Sequence, residues 1–196
     1  MADWGALYTR CNQDFVTIAG RLSEGEWATV VPATPEWTVH DLVAHAAGTS
    51  TDFVNDAMGQ APADAWTARH VDERREASAT DLAEELRATE AQVAGSFAGN
   101  DRPALAWDRS VHLADLHEAL GLGRPEEDRW RPVFEAVSAW RLADLPALDA
   151  PDYEVFRALF TRRSRDQIRA WAPNLTDADL ESIGVFGTRE DAQPVP

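Results

Sequence analysis

Apolar residues recur along most of this chain at spacings of three and four, the period of an amphipathic helix. The strict alternation of a half-buried strand is nearly absent. Residues 3–22, with Leu7, Phe15, Ile18 and Leu22 among the apolar positions, predict a first helix, which "EGEWATVVPATPEW" breaks with two prolines. Thr38 followed by Asp41 is an N-cap pattern, so a second helix starts there and runs to about Met58. The polar stretch "GQAPADAWTARHVDERREASAT" reads as a connection to a third helix over 79–97, where Leu82, Leu86 and Val93 fall at helical spacing. Pro103 suits the first turn of a fourth helix, which ends at "GLG", residues 121–123.

After "RPEED" the helical stretch "RWRPVFEAVSAWRLADL" follows, then a break at "DAPD" and one long amphipathic run from Tyr153 to Trp171. The segment from Thr176 to Pro196 reads as partly ordered at best. The fold class is therefore all-α: a four-helix bundle over residues 1–125 with additional C-terminal helices over 126–196 packed on it. No internal repeat and no low-complexity tract interrupts the pattern.

Composition restricts the function. The 196 residues are 44% hydrophobic, enough for a core of their own. With 34 acidic and 18 basic residues the net charge is −16, which repels a phosphate backbone and anionic lipid, so neither nucleic acid nor membrane is an expected partner. All 18 basic residues are arginine, which excludes Schiff-base chemistry and a lysine-dependent P-loop. Cys11 is the only cysteine, so a metal site must draw on histidine and carboxylate. "MADWGALYTR" lacks the order of a signal peptide and no run of eighteen apolar residues occurs, which places the chain in the cytoplasm by expectation.

Helical angles sort the histidines. On the fourth helix Leu105, Leu113, Leu116 and Leu120 share one side, and Asp108, His112 and Asp115 form a stripe along its edge. An acid four residues before a histidine is half of a site for zinc or another divalent cation. His117 lies about 140° around from His112, off that stripe and toward solvent. In "TPEWTVHDLVAHAAG", His45 borders the apolar stripe of Val39, Leu42, Val43 and Ala46, whereas His40, about 140° away, falls in the first turn. His70 falls in the polar connection. His45 with Asp108 and His112 would give three ligands and leave a position open for water or substrate. An i,i+4 Asp and His pair is also an ordinary helix contact, Asp115 also reads as a solvated acid, and a histidine beside an apolar face also serves as packing. Spacing alone leaves both readings open.

"PEWTVHDLVAHAAG" and "WDRSVHLADLHEALGLGRP" resemble the second-helix and fourth-helix signatures of the mycothiol-dependent maleylpyruvate isomerase family, a branch of the DinB-like four-helix metalloenzymes. "VFRALFTRRSRDQIRAW" and "VFGTRE" also look like closing segments of relatives. The resemblance implies a DinB-like bundle whose metal ligands are His45, Asp108 and His112. The acidic ligand is often glutamate in the characterised isomerase type, and Asp108 is one methylene shorter. Longer members add a sizeable carboxy-terminal domain, whereas the segment here between "RPEED" and "DAPD" is short.

What the resemblance implies is a divalent-metal enzyme, with zinc as the metal, that uses a low-molecular-weight thiol such as mycothiol on an electrophilic small-molecule substrate, as an isomerase or S-transferase. The alternatives are a thiol-independent metal-dependent hydrolase, lyase or cyclase of specialised metabolism, and a non-catalytic metal- or ligand-binding stress protein. Monomer and homodimer are both open. Cys11 reads as a buried packing residue. The eight tryptophans read as core and inter-helix packing, with any near the site able to exclude water. Arg157, Arg162, Arg163, Arg165 and Arg169 form a cluster that could clamp an anion but reads more simply as a solvated face paired with surface acids.

Overall fold

Side-chain caps decide where most helices of this protein begin. The computed structural model describes residues 2–98 and 103–195, and the chain divides into two compact units at the Arg124–Pro125 boundary. In the first unit Asp3 accepts the Ala6 amide at 2.9 Å and starts α1 (Trp4–Ala19). A short α2 (Glu24–Trp27) leads into an antiparallel hairpin, β1 (Val30–Val31) and β2 (Thr34–Thr38), with Val30 opposite Thr38. Thr38 ends β2 and caps α3 (Val39–Val54). Its hydroxyl accepts the Asp41 amide, while the Asp41 carboxylate accepts the Thr38 amide at 2.8 Å, so aspartate closes a capping box that more often uses glutamate.

The polar connection after α3 holds a helix, α4 (Asp64–Glu73), which the sequence pattern does not predict because only Trp66 and His70 of it are buried. Ser78 and Asp81 then cap α5 (Ala79–Gly95) in the same reciprocal way. The last helix of this unit, α6 (Ala104–Leu120), stops at Gly121, whose φ of 64° is the left-handed conformation that glycine adopts without strain.

Helices α1, α3, α5 and α6 close a four-membered ring: α1 and α3 each pack against both α5 and α6, and α4 lies along α3. Leu7, Phe15, Leu42, Val43, Leu82, Leu86, Leu113 and Leu116 fill the centre, fully buried. Burying each leucine contributes about 1.5–3 kcal/mol before entropy is counted. Cys11 lies in this core as expected. Arg109 lies there too. Its guanidinium donates to Asn12 Oδ1 at 2.8 Å, the Ala46 carbonyl at 2.7 Å and Ser50 Oγ at 2.8 Å, under the rings of Tyr8 and Phe15.

The second unit contains α7 (Glu127–Arg141), α8 (Asp152–Leu159), α9 (Arg165–Trp171) and α10 (Asp177–Ile183). Trp130, Tyr153, Phe156 and Phe160 stack between α7 and α8 with centroids 5.3 to 5.8 Å apart along the chain of contacts. The run from Tyr153 to Trp171 is two helices and not one, because Thr161 takes a φ of 64° and Ser164 caps α9 afresh. Thr176 and Asp179 form a capping box for α10 in the segment expected to be partly ordered. The arginine cluster divides. Arg165 and Arg169 do pair with surface acids, sharing Asp177. Arg157, Arg162 and Arg163 are buried, with Arg163 Nε 2.6 Å from buried Glu154, so the solvated-face reading fails for them. Among the described residues no helix is long and apolar enough to cross a membrane.

Candidate metal centre

Two helices of the ring bring the predicted donors together. His45 projects from α3, Asp108 and His112 from α6, and one donor atom from each lies within 4.8 Å of the others. His112 Nε2 stands 3.4 Å from Asp108 Oδ1, and the two imidazoles meet edge to face with centroids 5.2 Å apart. Both histidines are buried, and the Asp108 side chain, 30% exposed, is the least buried of the three. Buried polar groups gathered in an apolar bundle need a partner to justify their desolvation. Two imidazole nitrogens and a carboxylate oxygen are the donor set of a three-ligand divalent-metal site, and the shorter aspartate still reaches both rings.

Burial pushes His45 down to about 3, with His112, His70 and Arg109 adding to the effect and Asp108 opposing it. The neutral ring that results keeps a lone pair for a cation. Burial works to raise Asp108, but the charge of His112 and the hydrogen bond to it hold the carboxyl below the usual range. For His112 burial favours the neutral ring, and the carboxylates of Asp108 and Asp115 outweigh it and raise the pKa. Asp115 is not the solvated acid its sequence position suggests. It is fully buried, and its Oδ2 lies 2.9 Å from His112 Nδ1. One turn beyond His112, the edge stripe of α6 has turned into the core.

His70 departs furthest from expectation. Carried by α4 and fully buried, it places Nδ1 3.2 Å from His45 Nδ1 and Nε2 3.0 Å from Asp52 Oδ2. The same Asp52 oxygen accepts Trp66 Nε1–H at 2.6 Å and a guanidinium hydrogen bond from Arg69. Burial acts to raise Asp52, and these three donors hold it below the usual carboxylate range. His70 itself is lowered, chiefly by burial. A signal for this arrangement exists in the sequence: His45, Gly48 and Asp52 succeed one another at spacings of three and four along one face of α3. It carries no mark of what would cover that face.

The remaining histidines have other partners. His40 Nε2–H donates to the Ala77 carbonyl at 3.0 Å beside the Trp27 ring. His117 is half-buried instead of facing solvent, and its Nδ1–H donates to the Gly123 carbonyl at 3.2 Å. Neither belongs to the cluster. Two tryptophans wall it: Trp37, on β2, lies 5.0 Å from the His45 ring and 6.4 Å from that of His112, and Trp66 lies 5.9 Å from His45.

Comparison with known proteins bears on the same unit. The family model described as the mycothiol maleylpyruvate isomerase N-terminal domain matches residues 8–124, ending at the boundary between the two units and leaving residues 125–196 outside. No curated protein and no solved structure matches the chain.

Proposed function

The chain belongs to the mycothiol maleylpyruvate isomerase N-terminal domain family, and on that premise we propose that it is a divalent-metal-dependent enzyme of thiol chemistry. In this reading His45, Asp108 and His112 hold the ion, zinc by their donor types, and mycothiol or a similar small thiol reacts with an electrophilic small molecule in an isomerase or S-transferase reaction. The observation that carries it is the convergence of these three side chains within 4.8 Å on two helices of a DinB-like bundle. A bound divalent ion supplies Lewis acidity and makes a coordinated thiol or water acidic enough to act as a nucleophile near neutral pH.

The chain's own residues do the rest. Asp108, the least buried member of the cluster, marks the side from which substrate enters in this reading. Trp37 beside both histidine rings and Trp66 beside His45 wall the cluster with apolar surface, which limits water beside the reacting groups. Asp115 takes the Nδ1–H of His112 and fixes that ring with Nε2 toward Asp108. Cys11 is the only cysteine and is buried in the core, so the reacting thiol comes from outside the chain. A cytoplasmic location agrees with a reduced thiol cofactor.

Elemental analysis of the purified protein, followed by turnover of an electrophilic substrate with mycothiol present and absent, tests the proposal. About one ion per chain and thiol-dependent product are expected. Metal-dependent turnover indifferent to thiol would move the protein to the hydrolase, lyase or cyclase class. Binding of metal without turnover would make it a binding protein.

A further inference from the structure

Asp52 accepts three hydrogen bonds on one oxygen, and Arg69 already provides it with a cationic partner. A carboxylate can only accept, so His70 Nε2 must carry the hydrogen that it shares with Asp52. Because Arg69 already supplies that carboxylate with a cation, the geometry asks only one N–H of the enclosed His70, the one on Nε2. Its Nδ1 is then a bare lone pair facing His45 Nδ1 at 3.2 Å. Two lone pairs at that separation repel. The contact is a hydrogen bond only if His45 Nδ1 carries the hydrogen, and a neutral His45 with Nδ1–H keeps its lone pair on Nε2.

We infer that Asp52 and His70 are positioning residues: through Asp52···H–Nε2 of His70 and His70 Nδ1···H–Nδ1 of His45, they hold His45 in the tautomer that presents Nε2 to a cation. This rests on the metal reading above and extends it to two residues that touch no ion themselves. On the other side of the cluster Asp115 does the same for His112 directly. The His45 arm is longer: the acceptor for its Nδ1–H stands on a second helix, α4, and not on α3 itself.

The room for that acceptor is built into α3. Gly48 lies one turn after His45, and a Cβ there would stand 2.5 Å from His70 Cγ and 2.7 Å from His70 Cβ. Glycine in the middle of a helix costs about 1 kcal/mol relative to alanine. Its presence where the His70 ring enters is a second observation, independent of the hydrogen bonds, that the histidine belongs against His45.

Imidazole nitrogen NMR of the 15N-labelled, metal-free protein reads the tautomers directly. His45 is expected as Nδ1–H and His70 as Nε2–H. In His70→Phe, where a ring of similar size lacks the lone pair, His45 should lose its preference for Nδ1–H, and zinc affinity measured against a chromophoric chelator should fall 10- to 100-fold. His70→Gln, whose amide can accept from His45 and donate to Asp52, should stay within a few-fold of the parent. Should His70→Phe fail to melt cooperatively, Asp52→Asn read in the same way is expected to weaken the Nδ1–H preference. Nε2–H on His45 in the parent, parental tautomers and affinity in His70→Phe, or a loss in His70→Gln as large as in His70→Phe would each overturn the inference. The expected tautomers in a parent protein that binds no zinc would support the relay and overturn the metal function instead.

Discussion

Gly48 and His70 occupy one shared space: the His70 ring passes over the α3 backbone where a Cβ at position 48 would come within 2.5 Å of it. Helix propensity alone makes Gly48→Ala stabilising by about 1 kcal/mol. The clash reverses the sign, because the blocking atoms are the ring and its Cβ, anchored by α4, and not the far end of a flexible chain. Gly48→Ala should therefore destabilise by roughly 1–3 kcal/mol, the usual cost of overpacking, and should lower zinc affinity as His70 is pushed from His45. Urea unfolding beside a chelator titration checks both.

His112→Ala should remove metal and activity while leaving the helical signal in place. A three-ligand centre inside a bundle whose core is already filled by leucines is not needed for folding, unlike a zinc finger. Circular dichroism with elemental analysis decides; loss of the helical signal together with the metal would make the centre structural.

Arginines of this chain should differ by their surroundings. Arg109→Ala leaves a cavity and deprives the Ala46 carbonyl, Ser50 and Asn12 of a buried donor, and a loss of about 3–5 kcal/mol is expected. Arg169→Ala, which breaks an exposed pair with Asp177, should cost less than about 1 kcal/mol. Chemical denaturation of the two variants measures the contrast.

Glu85 ties three helices: its carboxylate accepts Arg74 Nε at 2.9 Å and the Thr51 hydroxyl, joining α5 to the end of α4 and to α3. Partial burial acts to raise it, but Arg74 and Thr51 hold it below the usual carboxylate range. A carboxylate depressed in the folded state contributes stability that is present above its unfolded pKa, about 4.3, and is lost as pH falls through the folded value. The parent should thus lose stability more steeply than Glu85→Gln below about pH 4.3, and the gap between the urea midpoints of parent and variant at neutral pH should close at acid pH.

The parts of the structure that were legible in the sequence share one property: their signals are local. Thr38 with Asp41 marks the start of α3, the apolar stripes orient α3 and α6, and those stripes place His45, Asp108 and His112 on facing edges. The family signatures lie on the same two helices. What was not legible depends on contacts between distant segments. Helix α4 buries only Trp66 and His70, so no stripe announces it, and His70 gains its meaning only when α4 lies along α3. Arg109, Arg157 and Arg163 carry charges that composition assigns to the surface, and nothing within a few residues of them reveals that they are buried, Arg109 against Asn12 and Arg163 against Glu154. The single run expected from Tyr153 to Trp171 hides a break because the left-handed residue there is threonine and not glycine.

The cap formed by Thr38 and Asp41 also bears on which length changes this chain can accept through evolution. Because it fixes the first residue of α3, it indexes everything downstream, and a single residue inserted between Thr38 and His45 would swing the imidazole by about 100°, out of register with α6. The same insertion ahead of Thr38 would lengthen the hairpin segment and leave the cap to restart the helix in phase. Insertions and deletions among descendants of this sequence should therefore accumulate before Thr38 and be purged between Thr38 and Asp52, the stretch in which one frame of reference serves His45, Gly48 and Asp52 together.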